Sequence, residues 1–123
     1  TDFSHPLVSK GFFKGEITKE LFVEKIAPAR TFGFLEQLSV LRKHNLANGT
    51  SLGNTVVIGN DGYINKPRFE NEFTCHKLLD LIGDISLLPH AIIGTIVAKK
   101  SGHILNRLVI EHFIKNKDQW DFV

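Results

Sequence analysis

The chain has 123 residues, 42% of them hydrophobic and 23% charged, with a formal net charge of +2. That length and apolar content suit one domain around a single core, and the charge is too mild to indicate a nucleic-acid partner by itself. A lone Cys excludes an internal disulfide framework and suits a reducing compartment, and no apolar run approaches the roughly 18 residues of a transmembrane segment, so a cytoplasmic location is expected.

In chain order, Gly11-Phe-Phe-Lys-Gly15 reads as extended and Lys19 to Ile26 as a helix that Pro28 stops. Ala29 to Phe34 reads as a strand. Leu35, Leu38 and Leu41 recur at helical spacing between Phe34 and His44, and the β-branched run Thr55-Val-Val-Ile58 predicts a strand before the turn Gly59-Asn-Asp-Gly62. A long helix comes next over Phe73 to Asp84, then a strand over Thr95 to Lys100 and a helix starting near Ile104. Strands and helices interleave without a repeat, a low-complexity tract or a Pro/Gly-rich linker. The expected fold class is therefore α/β, with helices packed on a mixed sheet.

Chemistry concentrates on the long helix, Phe73-Thr-Cys-His-Lys-Leu-Leu-Asp-Leu-Ile-Gly-Asp84. At about 100° per residue, His76, Lys77, Asp80 and Asp84 share an arc of roughly 100°, opposite Leu78, Leu79, Leu81, Ile82 and Ile85. An imidazole and a carboxylate four apart can grip one divalent ion, and a Lys beside them can hold an anionic group. The plainer reading is an amphipathic helix with a wet polar face. Further on, Ser101-Gly-His103 sits at a strand-to-helix turn, a frequent place for a reacting group, although a helix-entry His facing water is equally ordinary. Lys77, Lys99, Lys100 and Arg107 lie near these two segments and would attract a diphosphate; solvated surface residues are the alternative.

Taken together, His76-Lys-x-x-Asp80-x-x-Gly-Asp84 and Lys100-Ser-Gly-His103-x-Leu-Asn106, preceded by Ala29-Arg-Thr-Phe-Gly-Phe34 and Gly49-Thr-Ser-Leu-Gly-Asn54, resemble the UDP-3-O-acyl-N-acetylglucosamine deacetylase family, the zinc-dependent amidases of lipid A biosynthesis. The blocks keep the family's order from near Asp2 to Gln119-Trp-Asp-Phe122, but they match only its second half. Residues 1–123 are thus expected to be the C-terminal domain, with the N-terminal domain absent from this chain. The lack of any Met agrees, since Thr1 is then not a translational start.

The resemblance implies a two-layer α/β sandwich with an α/β insertion between Gly33 and Val57, whose Leu38, Leu41, Leu46 and Leu52 would line a passage for the 3-O-acyl chain. It implies His76 and Asp80 as Zn2+ ligands, with a third His and a Glu general base from the preceding domain. His103 would be the general acid, Asp84 the carboxylate favouring its charged form, and Thr31 the hydroxyl assisting the oxyanion. Lys77 and Lys100 would hold the diphosphate of UDP-3-O-acyl-N-acetylglucosamine, with Phe32 and Phe34 against the substrate. His5, His44, His90 and His112 match no family ligand and read as structural or exposed. Gly53, Thr50, Cys75, Pro89 and the shortened Lys66-Pro-Arg68 depart from the family pattern without removing any of these groups. A function of another class, a non-catalytic nucleotide-sugar-binding module paired with a partner domain, is the alternative.

Overall fold

The computed structural model describes residues 5–8 and 10–123, so Asp2 lies outside the described residues. The chain divides into two compact units, Thr1–His76 and Lys77–Val123.

In the first unit the Thr18 hydroxyl accepts the Leu21 N–H at 3.2 Å and caps α1 (Lys19–Leu21). The helix then widens into a π-helical turn over Phe22–Ile26, where the Ala27 N–H reaches five residues back to the Phe22 carbonyl at 2.8 Å. That turn buries Ile26 completely. After Pro28 the chain extends into β1 (Thr31–Phe34), crosses through α2 (Leu35–Lys43) and returns as β2 (Thr55–Ile58). The two strands are parallel, in register from Thr31 opposite Thr55 to Phe34 opposite Ile58. All four β2 residues are buried, as its continuous β-branched and apolar run requires. The predicted turn closes with the Gly59 N–H on the Gly62 carbonyl at 2.8 Å. Gly62 adopts a φ of 153°, which a side chain would oppose. Val8, Val56, Ile58 and Phe73 form the core, with Leu7, Phe32, Phe34 and Tyr63 packed around it.

Two expected strands are not formed. Gly11 to Gly15 and Thr95 to Lys100 carry no ladder, and the sheet among the described residues is two parallel strands rather than a mixed one. A β-branched run becomes a strand only beside a partner. The second unit offers residues 95–100 none among its described residues, and Lys100 turns to a φ of 52°.

The long helix α3 (Glu72–Ile85) starts in the first unit and continues into the second. The second unit holds α4 (His103–Lys115), which begins one residue earlier than Ile104, and a 3-10 turn over Lys117–Gln119. Asn106 and Ile110 are the buried positions of α4. The Trp120 indole donates to the Phe113 carbonyl at 3.0 Å and stacks edge-on against Phe122. No helix among the described residues is long and apolar enough to cross a membrane.

The first unit is pinned by a charge pair inside it. Glu72 is 1% exposed and Arg30 8%. The guanidinium meets both carboxylate oxygens, Nε to Oε1 at 2.8 Å and Nη2 to Oε2 at 3.1 Å. Its other donors reach the carbonyls of Leu52 at 3.1 Å and Lys66 at 2.9 Å. The backbone N–H groups of Arg30 and Arg68 complete the shell of Glu72 at 2.9 and 2.6 Å. Burial by itself pushes the Glu72 carboxyl up. The hydrogen bonds from the Arg30 side chain and from both backbone N–H groups, with the Arg30 charge, outweigh it and hold the group below its ordinary 4.5. Removing one member of such a pair strands the other's charge, so Glu72→Gln should cost about 3–5 kcal/mol in urea unfolding. Because the folded value is depressed, the contribution of Glu72 is complete above its ordinary value and disappears as pH falls through the folded one. Over that acidic interval wild type should lose more stability than Glu72→Gln, measured as the urea midpoint against pH.

Candidate functional site

In the first unit, the residue before Arg30 reaches the first of the predicted metal ligands. His76 Nδ1 lies 3.0 Å from the Ala29 carbonyl oxygen. A carbonyl only accepts, so Nδ1 carries the proton and Nε2 bears the lone pair of the neutral ring, the form a cation takes. Thr31 opens β1, half-buried. Phe32 packs on Phe73 with ring centroids 4.6 Å apart, and Phe34 packs on His5 at 4.8 Å. Both rings thus have core contacts in addition to the substrate role expected of them. In the insertion, Leu38 packs against Gly33, while Leu41, Leu46 and Leu52 stay exposed, as do Leu35 and Val40.

In the second unit, four predicted residues and one unforeseen residue come together. Asp84 Oδ2 receives His103 Nδ1 at 2.8 Å and Asn106 Nδ2 at 2.7 Å. The other imidazole nitrogen, Nε2, stands 4.0 Å from Asp80 Oδ1. Lys77 Nζ donates to Asp80 Oδ2 at 2.6 Å. His103 is the first residue of α4, entered through the extended Gly102, and its side chain is 69% exposed above two largely covered carboxylates. The hydrogen bond from Asn106 is the main cause holding the Asp84 carboxyl below its ordinary range. Partial burial opposes it, and the hydrogen bond and charge of His103 and the charge of Lys77 add to the lowering. Asn106 had a signal in the sequence: it lies three residues after His103 on one helix face. Lys100 is exposed, on left-handed backbone.

As a donor set for zinc, one imidazole of fixed tautomer and one carboxylate are of the right kind. They make half of a tetrahedral shell, and no group of three or more His, Cys, Asp or Glu able to hold a metal occurs among the described residues. Three further imidazoles are engaged otherwise. His5 Nδ1 accepts the Leu7 N–H, His90 meets the Phe122 ring, and His112 pairs with Gln119 and Asn116.

A family model described as UDP-3-O-acyl N-acetylglycosamine deacetylase matches residues 1–115. Among curated proteins, the UDP-3-O-acyl-N-acetylglucosamine deacetylase of Citrifermentans bemidjiense is 44% identical over 98% of this chain and 40% of its own length. That of Syntrophotalea carbinolica is 43% identical over the same shares. The enzyme of the same name from Thioalkalivibrio sulfidiphilus is 40% identical over 99% of this chain and 41% of its own. The chain therefore spans about two-fifths of the length of these relatives.

Because Asn106 is 4% exposed and donates to a carboxylate, Asn106→Ala should cost about 1.5–3 kcal/mol. It should also move the Asp84 midpoint up towards the ordinary carboxylate value, read by carboxyl NMR titration; an unmoved midpoint would leave the bond without the electrostatic effect described.

Proposed function

Because the chain belongs to the UDP-3-O-acyl N-acetylglycosamine deacetylase family, we propose that it is the second domain of a zinc-dependent amide hydrolase. The reaction is removal of acetate from UDP-3-O-acyl-N-acetylglucosamine in lipid A biosynthesis, in the cytoplasm. The observation that carries this reading is the pairing of His103 with Asp84 at 2.8 Å, with Asp80 beside the opposite ring nitrogen. An acid, its orienting carboxylate and a metal-type carboxylate are thereby grouped in one unit.

His76 and Asp80 would hold the metal, with the third ligand and a Glu base coming from the preceding domain. Zinc, when bound, supplies Lewis-acid activation of the amide carbonyl and of the attacking water. The chain's own residues then handle charge and protons. The departing amine needs a proton because an amide anion is too poor a leaving group. Asp84 accepts the Nδ1 proton of His103, which leaves Nε2–H as the donor towards that amine. Thr31 gives its hydroxyl to the developing oxyanion. Lys77 and Lys100 bind the diphosphate; three ammonium protons let Lys77 keep Asp80 while it meets a phosphoryl oxygen. Phe32 and Phe34 present their half-buried rings to the substrate.

The exposed Leu35, Val40, Leu41, Leu46 and Leu52 support an acyl passage built from the insertion. Burial there would gain about 0.8 kcal/mol per methylene, enough to set a chain-length preference. In the intact protein the helices would lie on a mixed sheet as a two-layer sandwich. The apolar positions that α4 leaves exposed, Ile104, Leu105, Leu108 and Val109, support a further layer over them.

The test is acetate release from UDP-3-O-acyl-N-acetylglucosamine by the complete natural polypeptide. Activity should disappear with a chelator and with His76→Ala, and fall by about 10²–10⁴ with His103→Ala. Asp84→Asn should move the basic limb of the pH-rate profile to lower pH, and an unchanged limb removes Asp84 from that role. A metal-loaded but inactive polypeptide would instead favour a nucleotide-sugar-binding module.

A further inference from the structure

Two residues one turn apart on α3 hold opposite ends of the same peptide group. Glu72 Oε1 accepts the Arg30 N–H at 2.9 Å, and His76 Nδ1 meets the Ala29 carbonyl at 3.0 Å. That N–H and that carbonyl belong to the single peptide bond between Ala29 and Arg30. The bond is trans, so its donor and acceptor point in opposite directions along a dipole of about 3.5 D. A carboxylate at the N–H end draws that proton and builds negative charge on the oxygen at the other end. Hydrogen bonds chained in this way strengthen one another. Glu72 is suited to the task because its charge is maintained in a buried place by Arg30 and by the Arg68 N–H.

We propose that Glu72 is a positioning residue for His76, acting through the Ala29–Arg30 peptide to fix the imidazole with its proton on Nδ1 and its lone pair on Nε2. The arrangement resembles the carboxylate–histidine–metal relay, with one peptide group inserted between carboxylate and ring. It rests on the reading of His76 as a metal ligand for its purpose, though not for its geometry. The peptide is also the entry to β1, so the same grip sets where Thr31 begins.

The experiment uses the complete natural polypeptide, metal-free and labelled with 15N-histidine, and reads the His76 tautomer by NMR and zinc affinity by competition with a chelator. Wild type should show the Nδ1–H form. Glu72→Asp keeps a negative charge beside Arg30 but retreats by one methylene from the backbone N–H. It should give a mixed tautomer population and bind zinc about ten- to a hundredfold more weakly, the usual cost of losing an outer partner of a metal ligand. A folded Glu72→Asp protein with wild-type tautomer and wild-type affinity overturns the proposal, as does an Nε2–H ring in wild type. Should Glu72→Asp not fold, the double variant Arg30→Met with Glu72→Leu removes both charges together, a change that buried pairs often tolerate, and must shift the tautomer in the same direction. His76→Ala separates the two readings. If it binds zinc as wild type does, the metal reading fails, while the tautomer measurement still decides the role of Glu72.

Discussion

The bidentate contact between Arg30 and Glu72 is the constraint on which the first unit depends. It joins residues 42 apart in sequence, and each end also gathers distant backbone: Leu52 and Lys66 onto the guanidinium, Arg68 onto the carboxylate. Arg68 extends the reach, donating to the carbonyls of Pro28 and Gly53 at 2.9 and 2.8 Å. Loop segments that have no ladder of their own are thereby tied to the first turn of α3. A small apolar core, Val8, Val56, Ile58 and Phe73, would not position those loops, because apolar contact is not directional. Hydrogen bonds to a buried charge are.

The second unit uses charge differently. Asp84 is not hidden in a core but held from two sides, by His103 and by the buried Asn106, at the place where α4 begins. A short carboxylate fixed by an amide keeps its orientation while the exposed partner ring can exchange contacts. The chemistry of the unit comes from that asymmetry: rigid acceptor below, accessible imidazole above, with Asp80 and Lys77 paired alongside.

Much of the fold was legible in the chain. The α3 pattern, the β-branched Thr55–Ile58 and the turn at residues 59–62 depend on neighbours within a few residues, and each formed where periodicity and turn chemistry placed it. The pairing of Asp84 with His103 was anticipated from the family blocks, and both lie in the same cluster. The features that escaped the sequence are non-local. Nothing in the composition distinguishes the buried Glu72 from the less buried Glu70, since burial of a charge depends on a partner far away in sequence. Thr95 to Lys100 has strand propensity without a strand, because a ladder needs an edge to join.

The π-helical turn of Phe22–Ile26 bears on how this chain tolerates changes of length. A turn closed five residues back accommodates one residue more than an α-turn does, so this site stores the equivalent of a single-codon insertion. Deleting one residue there would rewind the turn to ordinary α pitch and swing the downstream chain by about 100°, carrying Ile26 away from its fully buried position. A second insertion has no such slack to draw on. Between Thr18 and Pro28 the reading frame of the helix is thus calibrated in units of one residue, whereas residues 45–49 of the insertion have no buried side chain to misplace.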